Sequence, residues 1–166
     1  MLARNLMYLL TAVNHFYSSF NALYGQLGKL NNVFVTLQLA SSIALPCLLY
    51  AVEAIPFTKS FLSSLEHSWT RIFMKVFNTF DSKTVLNCQY FCGYLPLEHL
   101  ARVRKVNFLV NMGLHDNSVI RTVHSLSFND ELKPIANFYH VDVNQLAFKC
   151  RHFARNCIMC KIGLDT

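Results

Sequence analysis

Charge is scarce in this sequence. Only 14% of its residues are Asp, Glu, Lys or Arg, against about 25% in a typical soluble domain. So few charges do not coat a whole surface, so either the chain lies in a membrane or part of its apolar face belongs against another domain. Acidic groups are the scarcest. The five aspartates Asp81, Asp116, Asp130, Asp142 and Asp165 are scattered, no two within ten residues of each other, as caps and surface positions are. No Gly-rich phosphate loop is present, because Gly25-Gln26-Leu27-Gly28 lacks the preceding strand and the following Lys. No His/Cys pair has the third, orienting group that nucleophilic catalysis needs. Internal repeats, low-complexity tracts and Gly/Ser linkers are missing, and nothing alternates at period two for long enough to argue a strand.

What is present is apolar and mildly basic. Residues of the apolar set make up 53% of the chain, and 15 Lys and Arg stand against nine Asp and Glu, a formal charge of +6. A basic excess suggests nucleic acid or an anionic membrane surface as partner, and says little about fold. The amino end MLARNLMYLL is followed by no small-residue cleavage site, so the six cysteines are expected to be reduced intracellular thiols. The expected compartment is cytoplasmic or nuclear, with a membrane as the alternative.

Helical spacing recurs throughout, and the fold class expected is all-α, a compact multi-helix bundle. Leu9, Leu10, Val13, Phe16, Tyr17, Phe20, Leu23, Tyr24 and Leu27 mark one face of a first helix, frayed by Gly25 and Gly28. A second helix is expected from about Asn32 to Glu53, kinked near Pro46. Thr58 or Ser60 can cap a third, which carries Phe61, Leu65, Trp69, Ile72, Phe73, Val76 and Phe77. A short helix over about Lys83–Cys92 ends at Gly93, and Pro96 opens another that runs to about Met112. Asn117–Leu126 and Asn129–Tyr139 read as two short helices, and a last one spans about Asp142–Cys160. The organisation expected is a helical domain over 1–112 and a helical extension over 113–166, part of the same domain or appended to it.

The stretch from Leu30 to Val52 holds 23 residues without a charge, long enough to cross a bilayer. Thr36, Gln38, Ser41 and Ser42 interrupt it, Pro46 sits inside it, and its flanks lack the Lys/Arg clusters and Trp belts of a spanning helix. The buried core of a helical domain is the preferred reading; a single membrane span at about 33–55 is the alternative.

Three segments then combine: FYSSFNALYGQLG (Phe16–Gly28), LPCLLYAVEAIPFTKSFLSSLEHSWTRIFMKVFNT (Leu45–Thr79) and CQYFCGYLPLEHLARVRKVNFL (Cys88–Leu109). Together they resemble the region just after the polymerase core in reverse transcriptases of LINE-type, non-long-terminal-repeat retrotransposons. The likeness rests on an F-Y-x-x-x-N helix, a P-x-L-L-Y-x-x-E helix, F-M-K-x-F, and a turn with Cys-Gln, Gly and Leu-Pro in order. It covers residues 16–109. Ala51 stands where that family usually has Gly. The resemblance implies that the helical domain over 1–112 is a thumb-like region that packs on the palm and fingers domains and grips the primer–template duplex. No Tyr-x-Asp-Asp occurs, and polymerisation needs clustered carboxylates holding two magnesium ions. The chain as it stands is therefore expected to be a non-catalytic fragment, with magnesium belonging only to the intact parent enzyme.

Arg71 and Lys75, on the basic-aromatic helix with Trp69 and Phe73, are candidate phosphate contacts, as are Arg102, Arg104 and Lys105. His67 and His99 are expected on helix surfaces beside them. The competing reading is an ordinary solvated helix face. Cys150, His152, Cys157 and Cys160 supply four soft ligands, and the last two have a spacing that zinc sites use. On one continuous helix these four would not converge on a metal, so packing as small apolar groups is the preferred reading and no cofactor is expected, with zinc as the alternative. The same reading is preferred for Cys88 and Cys92, one turn apart. A third function class remains open: a helical module whose apolar face binds a partner protein.

Overall fold

The structure, a computed structural model, describes residues 2–27, 32–50, 52–55 and 58–142, together with positions 145 and 156. Among them every regular element is helical and no strand forms. The chain divides into two compact units, Met1–Glu98 and His99–Thr166. The division falls inside a helix, upstream of the boundary at residue 112 that the sequence suggests.

The first unit holds α1 (Leu2–Leu27), α2 (Val33–Leu39), α3 (Leu45–Leu49), α4 (Lys59–Phe77) and α5 (Ser82–Phe91). Helix α1 packs against α2, α3 and α4, and α4 also packs against α5. On α1 the buried stripe is Ala12, Phe16 and Phe20, while Leu10 faces solvent. The centre of the unit is Trp69, with no exposed surface. Its ring meets Phe73 edge-on at 5.1 Å, Tyr94 at 6.1 Å and Phe16 at 6.4 Å between centroids. Its Nε1–H donates to the Leu95 carbonyl at 3.3 Å. An indole so placed contributes both apolar area and a satisfied polar handle.

The long uncharged run is not one helix. After α2 the chain passes through a π turn over Ala40–Ala44, where the Leu45 N–H reaches back five residues to the Ala40 carbonyl. Pro46 then falls in the first turn of α3, where its missing N–H costs nothing. The expected kink is thus resolved upstream of the proline: the wider turn relieves the clash its ring would make with the carbonyl four residues back. Ser41 and Ser42 both donate to the Gln38 carbonyl at 2.8 Å beside that widening. At Tyr50 the backbone turns extended, and only a short 3-10 turn, Val52–Ala54, follows. Leu45, Leu48, Leu49 and Val52 are buried in the unit's core. No helix among the described residues is long and apolar enough to cross a membrane.

Local signals set the ends of α4 and α5. Thr58 Oγ1 accepts from the Phe61 N–H at 3.2 Å, and Asn78 closes α4 in the left-handed conformation at φ 50°. Asp81 caps α5 by accepting from the Thr84 N–H at 2.8 Å. At the other end Gly93, at φ 81°, donates to the Tyr90 carbonyl while Tyr94 donates to Gln89. This pair of reversed bonds is the Schellman arrangement.

Helix α6 (Leu97–Gly113) begins directly after Pro96, and α7 (Ser118–Tyr139) follows. One helix thus replaces the two short ones expected between Asn117 and Tyr139. Nothing between Leu126 and Asn129 breaks the spacing, and Pro134, inside α7, does not end it. In the second unit Leu132, Ile135, Ala136 and Tyr139 of α7 are buried, as are Ala101, Val106 and Leu109 of α6. Val119, Val123 and Leu126 form an exposed apolar strip on α7. The helix expected over Asp142–Cys160 lies almost wholly outside the described residues.

Candidate nucleic-acid interface

Helix α4 separates its aromatic and basic residues onto different faces. Trp69 and Phe73 are wholly buried, so they are core and not part of a phosphate-binding surface. Arg71 and Lys75 do not share that face, because residues two apart on a helix do not face the same way. Burying the Trp69, Ile72 and Phe73 side turns the opposite one outward. There His67, Arg71 and Lys75 follow at intervals of four and are exposed, so successive side chains stand about 6 Å apart along the axis.

The strip borders a groove of about 570 Å³ in the first unit. Tyr17, Phe20 and Asn21 of α1 line it together with His67, Arg71, Met74 and Lys75 of α4, Asn78 that caps that helix, and Phe80. Among the described residues no Asp or Glu lines it. Lys75 is held in place: its Nζ donates to Asn21 Oδ1 at 3.2 Å and lies 4.6 Å from the Tyr24 ring centroid and 5.6 Å from that of Phe20. An ammonium has three donors, so this anchored group keeps hydrogen-bonding capacity for an anion.

The second basic segment is built differently. Arg102 is 9% exposed and Lys105 6%. The Arg102 guanidinium lies 3.7 Å from the Phe138 ring centroid, a desolvated cation–π contact, and Lys105 pairs with Glu131. Both side chains are therefore spent on packing between α6 and α7 within the second unit, and Arg104, half-buried, is the most accessible of the trio. His99, expected on a helix surface, is 1% exposed, with Nδ1 2.8 Å from the Tyr139 hydroxyl. Cations of α6 find their partners about 25 to 40 residues downstream on α7, which local spacing does not reveal.

Neither family models, nor curated proteins, nor solved structures match this chain. The interface therefore rests on its own geometry. Among the described residues no three His, Cys, Asp or Glu side chains stand together so as to hold a metal ion. Cys150, His152, Cys157 and Cys160 lie outside the described residues. Cys88 and Cys92 are free and half-buried, and burial, then the neighbouring Cys88, pushes the Cys92 thiol up. A thiol so raised is a poor nucleophile and a poor metal ligand.

Asn21, Asn78 and Phe80 are the members that sequence reading missed. Asn21 carries a signal, as the Asn of the F-Y-x-x-x-N segment. Asn78 and Phe80 follow the end of α4 and carry none.

Proposed function

We propose that this chain is a non-catalytic, helical nucleic-acid-binding segment, the thumb-like region of a LINE-type reverse transcriptase, which grips the sugar–phosphate backbone of a primer–template duplex. The observation that carries the reading is the exposed His67–Arg71–Lys75 strip, backed by buried aromatics and bordered by neutral polar groups. Charges at one-turn intervals suit successive phosphates, and phosphate contacts position a nucleic acid without reading its sequence. Exposed apolar side chains on the first unit, among them Met7, Leu10, Ile43 and Tyr50, suit a segment that packs on further domains such as a palm.

Binding to a mixed-sequence duplex, measured across a salt series, tests this. Affinity is expected to fall steeply with salt. Arg71→Ala and Lys75→Ala should each weaken binding about equally on all sequences and reduce the salt slope by about 1. Lys105→Ala, by contrast, should lower the stability of the fold and leave that slope unchanged. A flat salt dependence, or slopes indifferent to Arg71 and Lys75, would sink the proposal.

A further inference from the structure

Phe80 is the most exposed of the large apolar residues among the described ones, at 87%, and it helps to line the cationic groove. It follows the left-handed Asn78 and immediately precedes Asp81, the N-cap of α5, so its backbone is fixed by two capped helix ends although its ring packs on little. A flat hydrophobic ring held out into water from a well-anchored turn invites a planar partner. The groove beside it, about 570 Å³, falls in the range of about 300–1,000 Å³ in which small planar ligands bind. Among the described lining residues Arg71 and Lys75 bring positive charge, and the Asn21 and Asn78 amides offer donors and acceptors at its walls.

A continuous duplex uses the basic strip and leaves both the groove and Phe80 unoccupied, because its bases are stacked on one another. An unpaired nucleotide uses all of it: phosphates on Arg71 and Lys75, a base face on the Phe80 ring. From this geometry we infer that the α4 groove takes single-stranded nucleic acid, an unpaired end or overhang, in preference to a blunt duplex. The inference rests on the reading of the strip as phosphate-binding and adds the state of the strand. Because every base has a π-face, stacking of this kind is tolerant of sequence, in keeping with a site whose remaining contacts go to the backbone.

The test is anisotropy binding of labelled oligothymidylate and of a blunt duplex of equal length to the full chain. The chain should bind the single strand more tightly. Phe80→Ala should weaken single-strand binding about 10-fold and leave duplex binding unchanged. Phe80→Leu, apolar but without a π-face, should behave like Phe80→Ala, and Phe80→Tyr should keep the native affinity. Since the ring is exposed, none of these changes should disturb folding. If Phe80→Ala and Phe80→Leu bind oligothymidylate as tightly as the native chain while Arg71→Ala weakens both substrates, the inference fails and the phosphate strip stands. If Arg71→Ala and Lys75→Ala leave both affinities unaltered, or neither nucleic acid binds, the proposed function itself fails.

Discussion

A single carboxylate on α4 decides how α6 begins. Glu66 Oε2 accepts from the Glu98 N–H at 2.8 Å, and Oε1 accepts from the Thr70 hydroxyl at 3.2 Å. The first backbone donors of a helix have no partner within it, and here a side chain 32 residues upstream supplies one. Burial pushes the Glu66 carboxyl above its usual value, against the lowering effect of the hydrogen bonds from Glu98 and Thr70. The folded chain then holds a proton that the unfolded chain releases, so this contribution to stability is fullest in acid and falls as pH rises through the ordinary carboxylate value towards the raised one. Urea unfolding of the native chain and of Glu66→Gln, from about pH 4 to about pH 7, tests it. The native chain should lose stability relative to the variant across that range; parallel pH profiles would contradict the assignment. Neither this contact nor those of Arg102, Lys105 and His99 is legible in the sequence. Each joins residues some 25 to 40 positions apart, while helical periodicity reports only neighbours three and four apart.

Elements were legible where their ends carry local chemistry. Thr58, Gly93 and Pro96 mark boundaries that depend on one side chain or one φ value. Of Thr58 and Ser60 it is Thr58 that caps α4, Gly93 follows the end of α5 at positive φ, and α6 begins one residue after Pro96. Gly93 is the clearest case. A Cβ added there would touch nothing within 4 Å, so Gly93→Ala isolates the backbone cost of a left-handed residue, about 1–2 kcal/mol. Chemical denaturation should show that loss with an unchanged urea dependence; a neutral effect would mean that the α5–α6 turn relaxes to another conformation. Where the ends depend on a change of helix type, sequence reading faltered. The stretch from about Asn32 to Glu53 reads as one kinked helix because a π turn has no composition of its own. The division expected inside α7 has no Gly or Pro behind it; Asn129 and Asp130 suit an N-cap, yet α7 runs through them.

At the scale of the whole molecule, the shortage of charge corresponds to exposed apolar groups in both units, such as Phe34 and Tyr50 in the first and Val119 and Leu126 in the second. All-α composition was readable from periodicity alone, since every long segment repeats at three and four. The position of the unit boundary was not, because α6 runs through it without a local signal. Each unit has its own buried side chains, Trp69, Phe16 and Leu48 in one and Leu132 and Val106 in the other, and a unit with its own core is able to unfold on its own.

The chain's only tryptophan is Trp69, and that residue lies in the first unit. Its emission therefore watches one half of the molecule, while far-ultraviolet circular dichroism watches the helices of both. During thermal or urea unfolding the two optical signals should trace different curves, with the indole blind to whatever the second unit does. Superimposable curves would mean that the two halves melt as one. Light emitted by this one ring is thus a built-in reporter of the half of the protein that carries the basic groove.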